Sequence, residues 1–82
     1  MPTRLEKIIS LIPADETDFL EDIRNINEVV ESGALSENHA AMEIYKLCFL
    51  VFPDVDADLT LWQKQIVDIV MVMNGFATYF GV

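Results

Sequence analysis

Residues 36–53 read SENHAAMEIYKLCFLVFP, and the reading of this stretch decides the fold. It begins polar and ends almost wholly apolar, and between Ile44 and Phe52 the one charged residue is Lys46. Ser36 suits an N-cap, because its hydroxyl can accept from the free amides of a first helical turn. Glu37 follows at the positive end of the helix dipole. Pro53 stops the run, since it lacks an N–H and disfavours helical geometry in Phe52. His39, Glu43 and Lys46 stand at i, i+4 and i+7 and form one polar stripe, which continues to Leu50. The remaining positions, Ala40, Met42, Ile44, Tyr45, Leu47, Cys48, Phe49, Val51 and Phe52, are apolar. A helix apolar around most of its circumference is normally covered on several sides, so the stretch reads as the central helix of a small bundle. Residues 47–52 would also suit a buried strand, but the run is long and no second segment is fit to pair with it.

Upstream of this helix, Phe19, Leu20, Ile23, Ile26, Val29 and Val30 form the apolar side of a second helix. Asp15 or Thr17 is its expected cap, it runs to about Glu31, and Gly33 suits the left-handed position beyond its end. Its other side holds Glu21, Asp22, Arg24, Asn25, Asn27 and Glu28. Asp15, Glu16, Asp18, Glu21, Asp22, Glu28 and Glu31 stand against Arg24 alone, which makes this the most charge-polarised element of the chain. Before it, Leu5, Ile8, Ile9 and Ile12 make a clean i, i+3, i+4, i+7 stripe. It belongs to a first helix capped by Thr3 and closed at about Leu11 by Pro13.

Downstream comes Asp54-Val55-Asp56-Ala57-Asp58. Its alternating aspartates are like the opening of an EF-hand loop, but Leu59 occupies the position that requires Gly and Gln65 the position that requires a bidentate Glu. A solvated acidic loop is expected. Thr60 and Gln63 match a capping box for a last helix, expected to run to Phe76 or Tyr79. Trp62, Ile66, Ile69, Val70, Met73, Phe76 and Phe80 are its expected core face, and Lys64, Asp68, Gly75 and Thr78 mark the face opposite. Met71 falls within that polar face. Together these segments predict an all-α protein: one domain over residues 1–82, about four helices, short loops.

Fourteen acids against five bases give a net charge of −9. That excludes direct nucleic-acid binding, which needs Lys and Arg to neutralise phosphate, and suits a basic protein partner. The single cysteine forbids an intrachain disulfide, and Cys48 in its apolar run is expected to be a small core side chain. Arg4, Glu6 and Lys7 interrupt any early apolar segment, so no secretory signal is expected and the setting reads as cytoplasmic. The apolar window from Ile66 to Val82 holds Asp68 and Asn74 and is short for a bilayer span.

Chemistry is sparse. His39 is the only histidine, and it is expected to pair with Glu43 on the surface. A nucleophilic triad would rest on that one residue, and no phosphate loop is present. Asp68 interrupts an apolar run and stands one turn from Lys64, which predicts a solvated or salt-bridged carboxylate. No catalytic residue, metal or cofactor is expected. In length, charge and helix order the chain resembles the acyl carrier proteins, and Ser36 lies roughly where that family carries its modified serine. The family motif is Asp-Ser-Leu, whereas Ser36 is flanked by Leu35 and Glu37. The resemblance would imply a carrier modified at Ser36.

The reading preferred from these residues is a non-enzymatic interaction protein. The acids of the second helix, with Asp54, Asp56 and Asp58, would meet a basic surface, as small phage inhibitors and toxin-neutralising proteins do by size and charge. Leu50 and Met71, left over on polar faces, are the expected apolar anchors. The alternative is a homo-oligomer that hides its apolar helices, since a chain 52% hydrophobic at this length has little interior in which to bury them.

Overall fold

Four helices form because local signals at each end agree with the apolar periodicity between them. The structure is a computed structural model, and it describes residues 3–53 and 58–82. The helices are α1 (Arg4–Leu11), α2 (Thr17–Glu31), α3 (Glu37–Val51) and α4 (Leu61–Met73), with no strand among the described residues. The protein is therefore all-α, as the sequence predicts. Thr3 accepts from the Glu6 amide at 3.1 Å, and Ser36 accepts from the His39 amide at 3.2 Å. At Thr60 the backbone N–H donates to Gln63 Oε1 at 2.9 Å. These are the caps that the sequence places at those positions. The start of α2 differs: Glu16 is its N-cap residue and supplies no side-chain bond, so neither Asp15 nor Thr17 plays that part.

Gly33 and Gly75 close α2 and α4 in the same way. Both adopt positive φ, +84° and +86°. After α4, the Gly75 N–H donates to the Val72 carbonyl and the Phe76 N–H reaches back to Met71, the Schellman pair of bonds. Gly75 therefore ends α4 at Met73, short of the expected Phe76 or Tyr79. Beyond it the chain turns back, Phe76 is exposed, and Phe80 is half-buried.

The helices pack in a ring. α1 packs against α2 and α4, and α3 packs against the same two, so α1 faces α3 and α2 faces α4 across the diagonals. Leu5, Ile8, Ile23, Ile44, Ile66 and Val70 fill the middle and are fully buried, each contributing about 1.5–3 kcal/mol by leaving water. One end is closed by aromatic rings from three elements. Phe52 lies 5.2 Å from Phe19 and 5.5 Å from Trp62, centroid to centroid. Asn74 ties α3 to α4 by donating to the Ala41 and Val70 carbonyls.

The expectation of a central α3 needs correction. It is one corner of the ring, and only Ala40, Ala41, Ile44 and Cys48 of its residues are buried. Met42, Phe49, Leu50 and Val51 are exposed. Two neighbouring helices can cover only part of a cylinder, and apolar composition alone does not supply a third. No described helix is long and apolar enough to cross a membrane.

Candidate functional site

The outward face of α2 is built by spacing. Asp18, Glu21, Asp22, Asn25, Glu28 and Val29 recur at intervals of three and four, which places them on one side of the helix. All are exposed, while Phe19 and Ile23 hold the opposite side in the core. Asp15 and Glu16 extend the acidic surface beyond the start of α2, and Glu31 extends it at the end.

Within this surface Arg24 is the one cation, and it forms no ion pair with the carboxylates. Among the described residues the one ion pair is Lys46 with Glu43, at 3.7 Å on α3. The one side-chain hydrogen bond to an α2 carboxylate among the described residues comes from Asn27, which donates to Glu31 at 3.3 Å. Asp18 repels Glu21 and Asp22 across one turn, each such pair costing a few tenths of a kcal/mol. Glu28 and Glu31 stand in the last turn, at the negative end of the helix dipole, with no basic residue there to offset them. Of these carboxylates only Asp18, in the first turn, is favoured by the helix dipole.

Val29 lies inside the acidic face and is 42% exposed. The sequence groups it with the core side, because its spacing from Ile26 and Val30 is apolar. The chain leaves it uncovered at the end of α2. It is an apolar contact point within the charged surface, which periodicity alone assigns to the interior.

The other expected contact residues are not gathered here. Leu50 is 83% exposed on α3, at the end of the polar stripe that contains Lys46. Met71 is half-buried on α4, diagonal to α2, and lines a groove with Phe49 and Tyr79. Asp58 is exposed just before α4, whereas Asp54 and Asp56 lie outside the described residues, as does most of the loop read against the EF-hand pattern. The chain thus carries two separate surfaces, an acidic one on α2 and an apolar one between α3 and α4.

No family model, curated protein or solved structure matches this chain. The functional reading therefore rests on the residues themselves.

The residues with chemical potential are placed as follows. Ser36 caps α3, and its hydroxyl lies 3.0 Å from His39 Nδ1. His39 thus turns to Ser36 and not to Glu43, which pairs with Lys46 instead. Cys48 is buried, and burial pushes its thiol up to about 12. Such a thiol stays protonated and unreactive at neutral pH. Among the described residues no three His, Cys, Asp or Glu stand together as metal ligands would.

Asp68 overturns its sequence reading. It is 3% exposed and makes no pair with Lys64, whose ammonium lies 5.7 Å from the centroid of the Phe80 ring. Its Oδ1 accepts from the Tyr79 and Phe80 amides at 2.9 and 2.8 Å, and its Oδ2 from the Val82 amide at 2.9 Å. Burial pushes the carboxyl up, but amide donation from Phe80, Val82, Tyr79 and Gly81 outweighs it and holds the group below its ordinary value. Gly81, at φ +73°, lets successive amides curl round one anion. Asp68 is thereby an ionised anchor for residues 79–82. With its lone pairs taken by main-chain donors, it is not poised to move a proton.

Proposed function

We propose that this protein is a small, non-catalytic interaction protein that docks the acidic face of α2 onto a basic surface of a protein partner. A nucleic-acid-binding surface is the kind of target that fits, because it is basic by necessity and an array of carboxylates can occupy the positions of phosphates. The protein then acts as an inhibitor without touching nucleic acid. The observation that carries this reading is the row Asp18, Glu21, Asp22 and Glu28, exposed together with no Lys or Arg within ion-pair distance. A basic partner would supply the missing counter-charges and relieve the repulsion along the helix. Charge complementarity would speed encounter and reject acidic surfaces, and Val29 would add apolar contact near the C-terminal end of the face. A single, buried, unreactive thiol accords with a reducing compartment, the cytoplasm.

The test is capture from host lysate on the tagged protein, elution by a salt gradient, and identification by mass spectrometry, followed by affinity measurement with the purified partner. The expected partner is a basic, nucleic-acid-handling protein released at moderate salt and displaced by its own nucleic acid. Reversal of Glu21, Asp22 and Glu28 to Lys should weaken binding by about 100-fold or more, with helicity retained in circular dichroism because all three side chains face water. Unchanged affinity in that variant would reject the reading.

A further inference from the structure

The groove between α3 and α4 runs down to the core. Its floor is made by Cys48, Phe52, Leu59 and Val70, all of them buried. Its walls are Tyr45 and Phe49 from α3, Met71 from α4 and Tyr79 from the tail. Separate parts of the chain thus surround one opening, and the space between them measures about 180 Å³. The walls are braced. Tyr45 and Phe49 meet edge to face at 4.8 Å between centroids. Tyr79 is tied through its own amide, which donates to Asp68 Oδ1 at 2.9 Å. On the floor, Phe52 is wedged against Phe19 and Trp62. A concave, mostly apolar and largely preformed space is what a small-molecule site requires.

We propose that this groove binds a small neutral aromatic molecule of one or two rings, of the class of indole. Size sets the first limit. An apolar cavity of about 150 Å³ holds a benzene ring, whereas pockets that enclose drug-sized ligands run to about 300–1,000 Å³. The groove therefore has room for a ring or a fused pair, and none for a nucleotide. Charge sets the second limit. None of the described residues that line the groove is charged, in a chain of net charge −9. A carboxylate would lose its water there with nothing to replace it, and the acidic protein would repel it. An organic cation needs ring faces gathered round it, but here two of the rings meet edge to face and much of the floor is aliphatic. Shape sets the third limit. Both tyrosines of the chain and two of its five phenylalanines line the groove. Flat rings gain from edge-to-face and offset contact with such side chains beyond the area they bury, and the Met71 sulfur suits a ring edge. The side-chain hydrogen-bonding groups around the space are the Tyr45 and Tyr79 hydroxyls and the Cys48 thiol. They suit a ligand with a single N–H or O–H.

The test is titration of the full chain with indole, followed by methyl-resolved NMR. Saturating shifts are expected at the methyls of Leu59, Val70 and Met71, with a Kd of about 1 mM or below, and none at Val29 on α2. Indole-3-carboxylate and tetramethylammonium should bind at least about tenfold more weakly. Hexanol, which brings an apolar chain without a ring, should bind several-fold more weakly. Phe49→Ala and Tyr79→Ala should each weaken indole binding by about tenfold. Both side chains are exposed, so the fold should persist, as thermal melts by circular dichroism would show. Val29→Glu should leave indole binding unchanged, since the groove does not depend on the acidic face. A wild-type chain whose groove methyls fail to saturate at several millimolar indole overturns the proposal without reference to any variant. So do shifts scattered over the whole surface, equal affinity for any of the three comparison molecules, or indifference to both wall substitutions.

Discussion

Asp22 on α2 and Asp68 on α4 are the same side chain set to opposite uses. Asp22 belongs to a crowded acidic surface, faces water, and holds no cation. Asp68 is the only acid from α4 onward; it is buried, and its oxygens are filled by the amides of residues 79, 80 and 82. An exposed carboxylate is optional to the fold and available to a partner. A buried carboxylate surrounded by donors is part of the fold and unavailable to anything else. Acidity alone therefore does not mark a functional residue in this chain; position relative to the core does.

Three substitutions would break or sharpen this contrast, beginning with the largest effect. Ile66→Ala empties a fully buried site on the core side of α4, and urea denaturation should show a loss of about 4 kcal/mol. Next comes Asp68→Asn, which replaces one acceptor with an amide that confronts a donor from the tail. Unfolding should become easier by about 2–3 kcal/mol, and amide exchange at residues 79–82 should accelerate. The wild-type contribution depends on pH in a definite direction. The folded carboxyl titrates below its unfolded value, so its stabilisation is present above the ordinary range near pH 4 and is lost as pH falls through that range and below it. The Asp68→Asn variant should lack this component of acid destabilisation. Smallest is Asp22→Asn, which relieves repulsion from Asp18 and should change stability by no more than about 0.5 kcal/mol, toward greater stability. Thermal melts of Asp22→Asn and Asp68→Asn side by side are decisive: equal losses would erase the distinction between the two aspartates.

Much of the fold was legible because its signals are local. Thr3, Ser36 and Thr60 cap helices through bonds that span three residues, and Gly33 sits just past an apolar run that has already ended. The acidic face of α2 was legible for the same reason, since spacing within one helix fixes its direction. What could not be read was which apolar residues would find cover. Periodicity assigns Phe49 and Val29 to apolar faces, whereas their exposure follows from the ring, in which each helix has only two neighbours; Leu50, on the polar stripe, is exposed as its spacing says. Asp68 was misread for a related reason. Lys64 is one turn away along the helix, but the donors that capture Asp68 arrive from 11 to 14 residues later. They arrive because Gly75 reverses the chain, whereas periodicity places Gly75 inside a helix that runs on to Phe76 or Tyr79.

The grip of Asp68 on the tail has a consequence for what the tail can become. It recognises main-chain amides, so beyond Gly81, whose positive φ curls the amides inward, and the half-buried Phe80, it makes little demand on side chains. Side chains at positions 76, 79 and 82 point largely outward and can change without loosening the clasp. The fold thus offers a short stretch of chain as an interchangeable display, fastened by one carboxylate and free to vary with whatever it meets.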